Sequence, residues 1–210
     1  MSITCRLCGN SILVSVLDLG ASPPCESFLS EEQLDLPEAT YPLHLRLCPD
    51  CLLLQIPALI TPEDTFGGDY AYHSSYSTSW VEHARRFVDQ AVDSLDLDPD
   101  GFVVEVAAND GYLLQHVVNR GIRCLGIEPS LNCSEAARDK GIPMLRAFLD
   151  EALAARVRDE HGPADLVVAN NVFAHIPDIT GFAAGLRGLV ADTGRVSIEV
   201  HHALSLITAA

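Results

Sequence analysis

Cations are scarce in this chain. Of its 210 residues, 13 are Lys or Arg and 29 are Asp or Glu, so the net charge is −16. Only Lys140 is a lysine. A surface this acidic repels phosphate backbones, which excludes non-specific nucleic-acid binding. It equally disfavours an anionic membrane as partner. Long apolar runs are missing too: no stretch approaches the ~20 residues of a membrane span. The N-terminus, Met1 to Arg6, lacks the charged-then-apolar plan of a signal peptide. The sequence therefore predicts a cytoplasmic protein whose thiols stay reduced. Repeats and low-complexity tracts are also absent. What is present suffices for a core: 48% of residues are hydrophobic and 20% charged.

Seven cysteines in a reducing compartment need an explanation other than disulfides. Four form two Cys-x-x-Cys pairs, Cys5-Cys8 and Cys48-Cys51, separated by residues 9–47. A two-residue spacer lets both thiolates of a knuckle face one ion, and two knuckles complete a tetrahedral site. Gly9 supplies the tight turn. The competing reading is two unrelated redox or buried thiol pairs. Zinc is favoured because residues 1–60 are turn-rich and core-poor, and a segment of that kind needs a staple. Four thiolates leave no open position, so the metal would be structural. Cys25, after two prolines, reads as a spare buried thiol, and Cys124 and Cys133 read as packing residues.

Strand-like apolar runs lie at Ile12 to Leu19 and Leu52 to Ile56. Apolar residues from Ser79 to Leu95 recur at helical spacing and predict an amphipathic helix. Strands and helices then alternate. Strands are predicted at Phe102 to Ala107, Cys124 to Ile127, Met144 to Ala147, Asp165 to Ala169 and Arg195 to Val200. Helices are predicted at Tyr112 to Arg120, Ser134 to Lys140, Asp150 to His161 and Phe182 to Leu189. Nearly all-apolar strands between helices mean a parallel sheet covered on both faces. The expected division is a zinc-binding region over 1–65, a linker with helix over 66–98, and an α/β Rossmann-like core over 99–210.

The run from Val103 to Leu114 reads as strand, sharp turn and helix. Its small turn residues let a ligand approach the backbone and the helix N-terminus. Glu128 ends the second strand, where a carboxylate can grip a ribose diol. The fingerprint Gly-x-Gly-x-x-Gly is absent, which weighs against a nicotinamide dinucleotide. Glu105, on the first strand, suits adenosylmethionine, whose sulfonium is positive. Its alternative is a capping or paired buried carboxylate. Asn170-Asn171 end a later strand, and His175 follows the turn.

Together these motifs resemble the zinc-region-containing sugar C-methyltransferases, which act on nucleotide-linked deoxysugars in antibiotic biosynthesis. The resemblance runs along the whole chain. It rests on the cysteine pairs, the segment Tyr70-Ala71-Tyr72-His73-Ser74-Ser75-Tyr76, the loop Glu105 to Leu114, Asn170 to Pro177, and Ile198 to His202. It implies a class I methyltransferase core and adenosylmethionine held by Glu105, Ala107, Asn109, Asp110, Gly111, Tyr112, Glu128, Asn170 and Asn171. It implies structural Zn2+ on Cys5, Cys8, Cys48 and Cys51. The implied substrate is a nucleotide-linked 4-keto sugar, methylated on carbon after α-deprotonation. His175 would orient the ketone or relay a proton, and Tyr72 and Tyr76 would hydrogen-bond the sugar. Packing roles are the alternative for all three. Family members run further and carry their proposed base in that part, so the core is expected to be partial, about five strands, and near-inactive alone, with self-association or a complementing C-terminal chain expected. A non-catalytic module that binds adenosylmethionine is the alternative function.

Overall fold

The computed structural model describes residues 3–209. The N-terminal part is an antiparallel sheet of β1 (Val14–Ser22), β2 (Tyr41–Leu47) and β3 (Leu54–Gln55), in that order. It buries almost nothing apolar. Val14, Val16, Leu17 and Leu19 are exposed, and the only buried apolar residues described before Ala84 are Cys5 and Cys48. Hydrophobic burial at ~25 cal/mol per Å² therefore contributes little here. β2 went unpredicted although Leu43, Leu45 and Leu47 alternate with His44 and Arg46. The alternation is a strand signal, and Pro42 masked it. Cys25 is exposed, not buried.

A short helix, α1 (Pro62–Phe66), is capped by Thr61, whose hydroxyl accepts from the Asp64 N–H. An extended strap follows, ending in a single 3-10 turn at Ser74–Tyr76. Next comes α2 (Thr78–Leu95), with the Ser77 side chain accepting from the Trp80 N–H. Its buried stripe is Ala84, Val88 and Ala91, with Trp80, Phe87, Val92 and Leu95 partly buried beside it.

The larger part is a five-stranded parallel sheet in the order β6-β5-β4-β7-β8. The strands are β4 (Phe102–Val106), β5 (Arg123–Ile127), β6 (Met144–Leu145), β7 (Ala164–Asn170) and β8 (Val190–Glu199). Between them run α3 (Leu114–Val118), α4 (Leu131–Asp139), α5 (Glu151–His161) and α6 (Ile179–Leu189). A last short helix, α7 (Ala203–Thr208), follows β8. One face of the sheet packs on α2, α3 and α4 through Val103, Leu113, Leu114 and Val117. The other packs on α5 and α6 through Val104, Ile127, Val157, Val167, Leu186 and Leu189. Both faces of β4 are thus covered, and every one of its residues is buried. This is the parallel α/β sheet expected from the alternation, in the class I methyltransferase form that the resemblance implies. No described helix is long and apolar enough to cross a membrane.

Several boundaries move by two to five residues: β1 runs on to Ser22, α4 and α6 start three residues earlier, at Leu131 and Ile179, and β6 stops at Leu145. α3 is only five residues long, because Asp110 to Leu113 form a buried turn before it. β8 begins at Val190 rather than Arg195, with a register irregularity near Ala164. Gly194 permits that close approach, since a Cβ there would lie 2.7 Å from the Ala164 carbonyl.

Candidate active site and metal centre

The two cysteine pairs converge. The Sγ atoms of Cys5 and Cys51 lie 3.5 Å apart and those of Cys8 and Cys48 lie 3.6 Å apart. All four sulfurs fall within 4.8 Å of one another. A tetrahedron of Zn–S bonds near 2.3 Å has edges of about 3.8 Å, so four thiolates in this arrangement fit zinc. Each knuckle closes with the same bond: Gly9 N–H donates to the Cys5 carbonyl at 2.9 Å, and Leu52 N–H to the Cys48 carbonyl at 3.0 Å. Gly9 and Leu52 both adopt positive φ, which only the glycine does without strain. Burial raises the Cys5 thiol pKa, but the N–H groups of Cys8 and Leu7 overcome it and bring it to about 6. From inside the first knuckle, between Cys5 and Cys8, Arg6 Nη1 reaches out and donates to the Ile176 carbonyl at 3.0 Å. The metal centre therefore touches the loop that carries His175.

In a parallel sheet, ligands sit beyond the carboxyl ends of strands where the strand order reverses. Here β4 is followed in the sheet by β5 on one side and β7 on the other. A cleft of about 820 Å³ opens at that point. Its walls come from the turns after β4, β5, β6 and β7, and from the segment of residues 62–80.

The turn after β4 is shaped by strained backbone. Ala107 and Asn109 have positive φ. Both the Ala107 and Ala108 N–H groups donate to the Ile127 carbonyl, at 2.8 and 3.2 Å. Asn109 N–H donates to Glu128 Oε2 at 2.9 Å, and Ser130 N–H to Oε1 at 2.9 Å. Glu128 is buried yet lines the cleft. Burial raises its pKa, and these two N–H donors work against that. Each oxygen retains a lone pair for a ligand hydroxyl. Ala107, Asn109, Tyr112, Asn170 and Asn171 line the same cleft. Asn170 Nδ2 donates to the Tyr112 hydroxyl at 3.4 Å.

Three expected cofactor residues lie elsewhere. Glu105 is 0% exposed beneath the turn and does not line the cleft. Neither of its oxygens has a hydrogen-bond partner. Burial, then the charges of Glu128 and Asp110, pushes its pKa well up. Asp110 is buried against Lys140 Nζ, 3.2 Å away, and the Ser75 hydroxyl. Its carboxylate is thus occupied by protein. Gly111 is demanded by packing: its φ is positive, and a Cβ would sit 2.3 Å from Ile142 Cδ1. With α3 so short, the ligand-facing groups are loop and side-chain atoms rather than a helix terminus.

Opposite the turn stands an aromatic wall. Phe66 packs edge-on against Tyr70 at 5.1 Å and against His175 at 5.8 Å, and Tyr70 meets Tyr72 at 6.5 Å. Tyr72 and His175 line the cleft, as does His201. His175 lines the cleft with its side chain exposed to solvent; desolvation by the groups packed round it, then the His201 ring nearby, lowers its pKa. Tyr76 departs from expectation. It is 78% exposed, stacks on His73 at 5.2 Å and does not line the cleft. The reason is the 3-10 turn at Ser74–Tyr76, which swings it outward. Sequence reasoning missed Phe66, Trp80 and the stretch Ala147 to Leu149, all of which line the cleft. The last follows the short strand β6, a carboxyl end like the others, and that position was its available signal.

Comparison with known proteins gives this geometry a family. The family described as "Putative zinc binding domain" matches residues 5–66. The family described as "Methyltransferase domain" matches residues 80–208. The chain belongs to the methyltransferase domain family. Across 203 residues, 97% of its length, the chain is 31% identical to the C-methyltransferase NovU of Streptomyces niveus. It covers 48% of that protein, so the chain spans about half the length of the curated relative it matches. Among solved structures, the PH0226 protein of Pyrococcus horikoshii OT3 aligns with 66% of the chain and 62% of its own. The TM-score is 0.50 at 12% identity, which is a likeness of fold. A SAM-dependent methyltransferase of Anabaena variabilis ATCC 29413 aligns with 55% of the chain and 50% of its own, at TM-score 0.46 and 22% identity.

Proposed function

We propose that this protein moves a methyl group from adenosylmethionine to a carbon next to the ketone of a nucleotide-linked 4-keto sugar. The observation that carries the reading is the 31% identity to a C-methyltransferase over nearly the whole chain. The cleft supports it by joining a donor end, Glu128 with Asn109, to an aromatic wall bearing Tyr72 and His175. When bound, adenosylmethionine supplies an electrophilic methyl on a sulfonium. Glu128 takes the ribose hydroxyls. Glu105, buried under the floor with its pKa pushed up, gives up its proton more readily once a positive charge sits above it, and then favours that charge by its field rather than by contact.

A carbon beside a ketone is inert until its α-proton leaves. His175, with its pKa lowered, is neutral near pH 7 and accepts a hydrogen bond or a proton there. Tyr72 donates its hydroxyl to the sugar. Developing enolate charge is steadied by such donors, and a 10²–10³-fold rate contribution is about what one donor of this kind supplies. Among the described cleft residues, Glu63, Glu128, Asp150, Glu151 and Asp178 are acidic and none is Lys or Arg. The sugar end therefore enters the cleft, and the diphosphate lies outside it.

The test is incubation of the chain, together with the complementing C-terminal part, with adenosylmethionine and a 4-keto deoxysugar nucleotide. The expected product carries one additional methyl whose carbon is bonded to carbon by NMR. An O-methyl product, or none with adenosylmethionine bound, overturns the acceptor assignment. His175→Ala is expected to lower turnover by about 10²-fold or more.

A further inference from the structure

The strap of residues 70–75, which carries the aromatic wall, is held by the donor-binding turns through side chains aimed at its backbone. Asn109 Oδ1 accepts from the Ser74 N–H at 2.8 Å, and its Nδ2 donates to the Tyr72 carbonyl at 3.0 Å. Asn132, in the first turn of α4, holds a single residue of the strap by both its backbone groups. Its Oδ1 accepts from the Tyr70 N–H at 2.9 Å, and its Nδ2 donates to the Tyr70 carbonyl at 2.9 Å. Two amides therefore pair with residues 70, 72 and 74 as a neighbouring strand would. Asp110 Oδ1 accepts from the Ser75 N–H at 3.3 Å and closes the far end.

Both amides adjoin the ribose-facing carboxylate. Glu128 accepts from Asn109 N–H with one oxygen and from Ser130 N–H with the other. Ser130 immediately precedes the helix on which Asn132 stands. Asn109 is buried and keeps positive φ, a strained conformation that its surroundings must maintain. Its side chain is thus committed to the strap, and only its backbone serves the donor end.

We propose that Asn109 and Asn132 are positioning residues that tie Tyr72 and Tyr70 to the donor-binding turns, so that a ligand on Glu128 orders the acceptor wall. Linkage makes the effect reciprocal: whatever ordering the donor imposes on the strap, an ordered strap returns as donor affinity. The coupling to donor rests on the function proposed above, whereas the staple itself does not.

Backbone hydrogen exchange on the parent, Asn109→Gly and Asn132→Ala tests both parts. Glycine keeps the positive-φ backbone and the N–H to Glu128 while removing only the two strap bonds. Alanine suits a first helical turn, so at least one variant reports on a folded protein. Without ligand, the Ser74 amide is expected to exchange at least tenfold faster in Asn109→Gly, and the Tyr70 amide at least tenfold faster in Asn132→Ala. With adenosylmethionine, the parent should gain protection over both residues 107–111 and 70–75, and Asn109→Gly over 107–111 alone. Unchanged exchange of these amides in the ligand-free variants overturns the staple. Equal protection of the strap by donor in parent and Asn109→Gly overturns the coupling. Failure of the parent to bind adenosylmethionine removes the donor reading, while the ligand-free comparison still decides the staple.

Discussion

Glu105 is the residue least at ease in the fold. It is fully enclosed in an apolar strand, and both oxygens lack partners. Burial and two neighbouring carboxylates raise its folded pKa above the unfolded value of about 4.3. The sign follows from linkage. The folded state binds the proton more tightly, so stability is full below the unfolded pKa and falls as pH rises through the folded pKa. Glu105→Gln removes that fall. The stability gain of the variant over the parent, measured by thermal unfolding, is expected to be small near pH 4 and to grow toward pH 8. Adenosylmethionine binding should weaken in the same variant. A residue that is costly to the fold and helpful to a cationic ligand is what a functional site tolerates.

At the scale of elements, the zinc knuckles do for residues 5–56 what a core does elsewhere. β1 to β3 leave Val14, Val16, Leu17 and Leu19 in solvent. Chelating the metal is therefore expected to collapse NMR dispersion over residues 5–56 while β4 to β8 keep theirs. Cys48→Ser should do the same without a chelator. Retention of the β1–β2 cross-strand signals after metal removal would show that the sheet stands without zinc. The opposite edge carries a different liability. Val196, Ile198 and Val200 lie exposed on the outermost strand and the residue after it. Such an edge pairs readily with other chains. Ile198→Lys is expected to shift sedimentation toward monomer at concentrations where the parent associates. Equal association in both proteins would clear this edge of the role.

On the scale of the whole molecule, most of the design was legible in the sequence because its decisive signals are local. The Cys-x-x-Cys spacing, the apolar strand ending in Ala107 and the carboxylate at Glu128 each depend on a few neighbours. The outliers are non-local. Tyr76 leaves the cleft because of a 3-10 turn that Ser74 and Ser75 do not announce. Asp110 is engaged by Lys140 thirty positions later in the chain. Asn109 and Asn132 show their purpose only when the strap lies across them. Phe66 and Ala147 join the site through the topology of β4 to β7, which places their segments at one rim.

Donor recognition at the rim of β4 and β5 is the claim on which the rest depends, and calorimetry tests it directly. Adenosylmethionine is titrated into the parent and into Glu128→Ala. One site per chain is expected in the parent. Hydrogen bonds to a charged group contribute about 1.5–3 kcal/mol, so the variant should bind about 10- to 100-fold more weakly. Equal affinity in the two proteins, or binding of NADH in place of adenosylmethionine, would contradict it.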